Sequence, residues 1–389
     1  MQLDATFSVT YSHRLRCTHG VFRSENTLLT DLLSTNAGVP ARVVAFVDAG
    51  LAEAAPGYLA EMQSFFDANA STIQLVAPPQ ILPGGETAKK DRKTLDRALE
   101  IISETHMCRH SYVLVVGGGA LLDCVGLAAS LAHRGVRLIR VATTTLSQSD
   151  SALGVKNGIN AFNQKNYLGV YDVPWAVIHD EATLATLSDG DWTSGFSEAV
   201  KVALLKDKAL FERIERDADA IRLRDEAAGV PVIRESAKHH FDHITCNGDP
   251  FERGDARPLD FGHWAAHKLE QMSGYAIRHG AAVAIGLAID VTYARLQGWL
   301  GEIPHERILH TLETLGFELR HPLLAEKAAL MGGLAEFQEH LGGVRSIPMI
   351  RDIGDAFEVH EIDDAIMAQA LDWLRAWEPA VAASGRNCP

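Results

Sequence analysis

An unbroken apolar run, Tyr112-Val113-Leu114-Val115-Val116, leads directly into Gly117-Gly118-Gly119 and then into a helical pattern carried by Leu122, Val125, Ala128 and Ala129. A β-branched run without polar alternation is a strand buried on both faces, the condition of a parallel sheet covered by helices. Similar runs occur at Arg42 to Asp48, Arg137 to Ala142 and Trp175 to Asp180, and residues 5–12 alternate as a strand would. Strands alternating with helices over residues 1–180 predict an α/β domain with a mostly parallel sheet. From residue 181 onward helical periodicity takes over, in 196–218, 259–273, 281–298, 305–315 and 363–377, so 181–389 is expected to be a separate all-α domain. A chain of 389 residues is too long for one ordinary core.

Composition narrows the function classes. A formal net charge of -14 opposes nonspecific nucleic-acid binding. The cysteines (Cys17, Cys108, Cys124, Cys246, Cys388) form no C-x-x-C pair and are expected to be reduced thiols. The N-terminus lacks the basic and apolar regions of a signal peptide, and no apolar stretch reaches the ~18 residues of a membrane helix. These features predict a cytoplasmic protein with neither nucleic acid nor membrane as partner.

Several segments suit a ligand, each with a plainer alternative. The Gly triplet between strand and helix would let a pyrophosphate approach the backbone, yet it is not the G-x-G-x-x-G fingerprint and also suits a tight turn. Asp48, at a strand's carboxyl end, suits a ribose hydroxyl or a helix cap. Thr143-Thr144-Thr145 ends another strand, where its hydroxyls face a ligand crevice or satisfy local backbone. Lys156-Asn157-Gly158 and Asn163-Gln164-Lys165-Asn166 frame a polar loop able to clamp a phosphate or simply to meet solvent. His263 and His267 share one helix face, with His279 downstream and Glu198 upstream. Two imidazoles and a carboxylate are a common ligand set for a catalytic divalent metal. The absence of an H-E-x-x-H pattern disfavours a metalloprotease.

Taken together and in order, Gly117-Gly118-Gly119-Ala120-Leu121-Leu122-Asp123, Thr143 to Asp150, Gly154-Val155-Lys156, Lys165-Asn166, Glu198-Ala199-Val200-Lys201, Phe261-Gly262-His263 and His279-Gly280 resemble the 3-dehydroquinate synthase superfamily of sugar-phosphate cyclases. The resemblance runs in register from about residue 42 to 290. It implies a Rossmann-like NAD-binding domain, a helical metal- and substrate-binding domain, a homodimer and a small sugar phosphate as substrate. Glu198, His263 and His279 are then the ligands of Zn2+ or Co2+. Asp48, Glu86, Lys89, Gly118, Gly119, Asp123, Thr143 and Thr144 match NAD-contacting positions. Lys156, Lys201, His267 and Asp150 are implied as catalytic, and Arg134, Lys165, Asn166, Arg257 and Asp260 as substrate-binding.

The family chemistry is a lyase cycle: transient oxidation by NAD, β-elimination of phosphate, re-reduction, and aldol closure of a seven-carbon sugar phosphate to a carbocycle. This chain departs from the dehydroquinate-forming pattern at four places. Asp260 stands where Asn is usual, and Ala281 where Glu is usual. A lysine expected upstream of Arg257 falls near Asp242 or His243. A late basic pair is replaced by Gln338-Glu339-His340. Each lost charged contact costs on the order of 1.5–3 kcal/mol in binding. The Arg257-Pro258-Leu259-Asp260-Phe261-Gly262-His263-Trp264 segment is also similar to sedoheptulose 7-phosphate cyclases, which are the alternative. A glycerol-dehydrogenase-like oxidoreductase and a catalytically dead binding protein are two further readings, and the retained cations argue against the first of them.

Overall fold

The computed structural model describes residues 1–33, 38–162, 164–246, 249–253, 258–340 (the His340 side chain excepted) and 345–378. Packing divides the chain into two units, Met1–Ser147 with Ser151–Thr186, and Gln148–Asp150 with Leu187 onward.

The first unit contains β1 (Leu15–Thr18), α1 (Leu28–Leu32), β2 (Ala41–Asp48), α2 (Ala49–Ala54), α3 (Tyr58–Ala68), β3 (Ile73–Leu75), β4 (Gln80–Leu82), α4 (Lys93–Glu104), β5 (Tyr112–Gly117), α5 (Gly119–Leu131), β6 (Arg137–Ala142), β7 (Lys156–Ala161), β8 (Gln164–Tyr171) and β9 (Ala176–Asp180). Its main sheet has the order β1-β9-β6-β5-β2-β3, with β4 also paired to β2, and every pairing is parallel. Every residue of β5 and β9 is buried, as the unbroken apolar runs require. The pleat sends Val43, Ala45 and Val47 of β2, Leu114 and Val116 of β5, and Ile139 and Val141 of β6 to one face, where Phe22, Phe65 and Phe66 cover them. The chain steps from β2 outward to β3, then returns to the other side of β2 as β5. The carboxyl ends of β2 and β5 therefore flank the point where strand order reverses, the place where open α/β sheets bind ligands.

Two sequence expectations change here. Residues 5–12 form no strand and are exposed; regular structure begins only at Leu15, where pairing to Val177 of β9 supplies partners. The polar segment read as a loop is instead the antiparallel hairpin β7–β8, with Asn157 opposite Val170 and Gly158 opposite Gly169. Its Asn, Gly and Lys content hid the two-residue period. Asn163, at the turn, lies outside the described residues.

The second unit contains α6 (Asp189–Lys206), α7 (Lys208–Arg222), α8 (Glu226–Cys246), α9 (His263–Met272), α10 (His279–Leu296), α11 (Glu302–Thr314), α12 (Lys327–His340), β10 (Ile347–Asp352), β11 (Asp355–Val359) and α13 (Asp364–Ala376). The helix expected over 196–218 breaks at Asp207, whose carboxylate accepts the Ala209 and Leu210 N–H groups and so starts α7. The unit is not purely helical. β10 and β11 pair antiparallel around Gly354 at φ 82°, and Phe357 packs edge-on against Trp299 at 5.2 Å. α10 is buried continuously from Ala282 to Ala294, the signature of a central helix rather than an amphipathic one. Among the described residues no helix is long and apolar enough to cross a membrane. The frayed terminus expected at Ser384 to Pro389 lies outside the described residues.

Candidate metal centre and nucleotide-binding turn

Three helices of the second unit meet at Glu198. The Glu198 Oε1 atom lies 3.5 Å from His263 Nε2 and 3.3 Å from His279 Nε2. Each imidazole is held by its other nitrogen: His263 Nδ1 is 3.1 Å from the Phe261 carbonyl oxygen, and His279 Nδ1 is 3.1 Å from Glu270 Oε2. Those acceptors demand an N–H at Nδ1, which leaves each Nε2 turned toward the Glu198 carboxylate, the atom each ring would offer to a cation. The donor atoms of Glu198, His263 and His279 all lie within 4.8 Å of one another, and the two His and one carboxylate fit a divalent cation with an open position.

Close backbone contacts create this geometry. α9 and α10 begin with the two histidines, and glycines set the spacing of both helices. Gly262 caps α9 in the left-handed region (φ 75°, ψ -10°), where a Cβ would fall 2.7 Å from the Leu287 backbone nitrogen. A Cβ on Gly280 would fall 2.1 Å from the Ser194 carbonyl oxygen, so the first turn of α10 rests on α6 one turn before Glu198.

The other Glu198 oxygen faces Lys201 Nζ at 2.5 Å, and Lys201 also reaches Asp150 Oδ2 at 2.9 Å. The second Asp150 oxygen lies 2.9 Å from His240 Nδ1 of α8. Burial is the largest single influence on both carboxyls and acts to raise them, but Lys201 and the neighbouring imidazoles together outweigh it in each. With His240 also acting, Asp150 falls to about 2; with His263, Glu198 is held well below the usual carboxylate range. Burial would likewise lower the Lys201 ammonium, and Asp150 and Glu198 reverse that and carry it upward. The ammonium and both carboxylates are thus charged at neutral pH. His267 is half-buried, its ring 5.5 Å from that of His263 and 6.1 Å from that of His279. Together with Glu270 and His279 it forms a second cluster of donors within 4.8 Å.

Asp260 is half-buried, and its backbone carbonyl accepts the His263 N–H at 3.0 Å. His243, near the place of the missing lysine, stands 3.1 Å from Lys206 Nζ, so α6 brings a cation to that position. Burial and Lys206 push the His243 imidazole down to about 4, against the pull of Asp260. Gln338 accepts from Arg345 at 3.3 Å, so a guanidinium stands by the replaced basic pair as well. Arg257 lies outside the described residues.

In the first unit, β2 ends at Asp48, whose Oδ1 accepts the Gly50 N–H at 2.8 Å and caps α2. Beside it, Gly118 caps α5 with no side-chain bond, so the first-turn N–H groups of that helix suit a phosphate. Thr143 is buried and takes its N–H to Gly117, while Thr144 Oγ1 and Ser147 Oγ bond at 2.9 Å. Lys89 Nζ lies 2.5 Å from Asp123 Oδ2 and 3.0 Å from Asn166 Oδ1, and Lys165 pairs with Glu86 at 3.6 Å. The hairpin residues Lys165 and Asn166 thus join Glu86, Lys89 and Asp123 in one polar network. Asn166 adopts a positive φ of 55°, its N–H donating to Asn160. Lys156 opens β7 with an exposed side chain, and Arg134 is exposed in a short turn after α5.

Sequence reasoning missed three residues here. Glu270 is spaced seven from His263 and three from His267, one helix face, so the i, i+4, i+7 pattern carried the signal. His240 offered none, because only the fold brings α8 to Asp150. Arg140 is fully buried on β6 and donates to the carbonyls of Ala152, Gly154 and Lys156 and to Asn157 Oδ1 at 2.7–3.1 Å, bracing the entry to β7.

Comparison with known proteins adds an independent line. Residues 80–194 match the model of the 3-dehydroquinate synthase N-terminal domain, and residues 195–333 that of its C-terminal domain. The chain is 32% identical to 2-epi-5-epi-valiolone synthase of Streptomyces glaucescens over 376 residues, covering 96% of this chain and 92% of that one. It is 30% identical to 3-dehydroquinate synthase of Halorhodospira halophila over 313 residues, covering 78% and 88%. The solved structure of 2-epi-5-epi-valiolone synthase from Streptomyces hygroscopicus subsp. jinggangensis, with NAD+ and Zn2+ bound, superposes with a TM-score of 0.86 at 26% identity, covering 97% of this chain and 99% of that one.

Proposed function

The chain belongs to the 3-dehydroquinate synthase family, and on that premise we propose that it is an NAD- and divalent-metal-dependent cyclase acting on a seven-carbon sugar phosphate. The observation that carries this reading is the divided Glu198 carboxylate, one oxygen facing two Nε2 atoms and the other on Lys201. When bound, NAD accepts and returns a hydride at a carbinol carbon while the cation acidifies the adjacent hydroxyl.

The chain's own residues do the rest. Glu198, His263 and His279 hold the cation, and Glu270 keeps His279 in its ligating tautomer. Lys201, fixed between Glu198 and Asp150, offers a positive charge to oxygen atoms that become anionic. His267 faces the substrate rather than the cation and moves protons at its hydroxyls. Lys156, Lys165, Asn166 and Arg134 bind the phosphate that leaves by β-elimination. Asp48, Glu86, Lys89, Gly118, Gly119, Asp123, Thr143 and Thr144 line the dinucleotide. The net reaction releases inorganic phosphate and closes a carbocycle, with no net change in NAD.

The preferred substrate in this proposal is a ketose phosphate without a carboxylate, such as sedoheptulose 7-phosphate. Asp260 supports it, because a carboxylate beside the site repels an anionic substrate group and accepts hydrogen bonds from hydroxyls. The extent of the likeness to 2-epi-5-epi-valiolone synthase, 96% of the chain, supports it as well. The test is phosphate release from seven-carbon sugar phosphates with and without a carboxylate, in the presence of NAD+ and Zn2+. Release from the carboxylate-free sugar is expected. Release only from the carboxylated sugar overturns the substrate assignment, and steady NADH accumulation with a simple polyol overturns the cyclase assignment.

A further inference from the structure

Asp290 is a carboxylate in the fully buried middle of α10, flanked by Ile289 and Val291. Its two oxygens take one donor each. Oδ2 accepts the Gly262 N–H at 2.9 Å, and Oδ1 accepts the Trp264 indole N–H at 2.9 Å. These donors belong to the residues immediately before and after His263. Burial raises the Asp290 carboxyl to about 7 in spite of both hydrogen bonds, so an apolar residue would suit the helix better. Packing alone gives no reason for an acid at this position.

Elsewhere the turn is held through its main chain, packed against Gly286 and Leu287. Gly262 has no side chain to cap α9, and its left-handed backbone is open to many conformations until something fixes it. The His263 N–H is tied to the Asp260 carbonyl and its Nδ1 to the Phe261 carbonyl, so the imidazole inherits whatever orientation the 260–264 turn takes. We propose that Asp290 is a positioning residue: by gripping Gly262 and Trp264 at once, it aims His263 Nε2 at Glu198 and His279. This rests on His263 being a metal ligand. Only a carboxylate serves both donors, because an Asn amide places an NH2 against one of them.

The test measures Zn2+ affinity of the metal-stripped full chain by competition with a chromophoric chelator, well below the melting temperature. Wild type is compared with His263→Ala, Asp290→Asn, Trp264→Phe and Leu309→Ala, the last a core substitution in α11 that lowers stability away from the turn. Asp290→Asn is expected to weaken Zn2+ binding about 10–100-fold, as loss of a partner that orients a metal ligand does. Trp264→Phe, which removes one donor and keeps a ring, is expected to weaken it about 3–10-fold, on the same principle at half strength. Leu309→Ala is expected to leave it unchanged at a comparable loss in melting temperature. Equal affinities for Asp290→Asn and Leu309→Ala overturn the proposal. If Asp290→Asn does not fold, unchanged affinity in Trp264→Phe overturns it. Unchanged affinity in His263→Ala removes the metal-ligand premise itself, whatever Asp290 does.

Discussion

Lys201 stands one turn after Glu198 on α6, its Nζ 2.5 Å from Oε2, and both side chains are sealed from solvent. The remaining Glu198 oxygen is committed to His263 and His279. A single carboxylate is thus shared between a fixed ammonium and two imidazoles, and the ammonium is shared in turn with Asp150.

Lys201→Met breaks a buried ion-pair chain and strands two carboxylates. A loss of about 3–5 kcal/mol in stability is expected, because removing one partner leaves uncompensated buried charge. Urea denaturation of the apoprotein measures it. A change under 1 kcal/mol contradicts the pairing.

His263→Ala and His267→Ala separate the two roles assigned to the neighbouring imidazoles. After dialysis against excess Zn2+ and then buffer, His263→Ala is expected to retain little metal and no phosphate release. His267→Ala is expected to keep near-stoichiometric metal while kcat falls by about 100-fold or more, the scale of a lost proton-transfer group. Equal metal loss in both variants places both rings on the cation.

Lys165→Ala removes an ammonium that pairs with Glu86 and that we propose binds the substrate phosphate. A fall of about 10–100-fold in kcat/KM for the sugar phosphate is expected from one charge-assisted contact. NAD+ affinity, read by fluorescence titration, is expected to shift far less. The reverse pattern moves Lys165 to the dinucleotide.

His179 carries a pH signature. Its ring is buried on β9 and has no hydrogen-bond partner among the described residues, and burial lowers it from 6.5 to about 3. The folded protein keeps it neutral, whereas the unfolded chain takes up a proton below 6.5. Its contribution to stability is therefore present above pH 6.5 and is lost as pH falls toward 3. That amounts to about 2 kcal/mol between pH 7 and pH 5. His179→Leu is expected to flatten this part of the stability profile by that amount, and an unchanged profile excludes His179 as its source.

Segments whose chemistry and periodicity agree were legible before any coordinates. β5, its Gly turn and α5 follow from an apolar run that nothing else accommodates, and Glu198, His263 and His279 are signalled by residue type and motif. The β7–β8 hairpin was not legible, since its Asn, Gly and Lys residues interrupt the apolar alternation, and Asp207 was hidden inside a helical period it interrupts. Asp150 and His240 are 90 positions apart in sequence and meet only because α8 packs beside the Gln148–Asp150 segment. Arg140 is written as an interruption of an apolar strand, and its role lies wholly in the carbonyls it finds.

Gly262 and Gly280 seat α9 and α10 against neighbouring main chain rather than against side chains. The distance between the His263 and His279 imidazoles is thus measured in peptide units, which mutation does not resize. Much of the surrounding apolar interior can be exchanged for other apolar residues before that distance changes. Adding a single methyl group at either glycine displaces a whole helix. For the spacing of the two imidazoles, tolerance to substitution is therefore inverted from the usual order, with apolar exchanges in the core permissive and the two smallest residues intolerant.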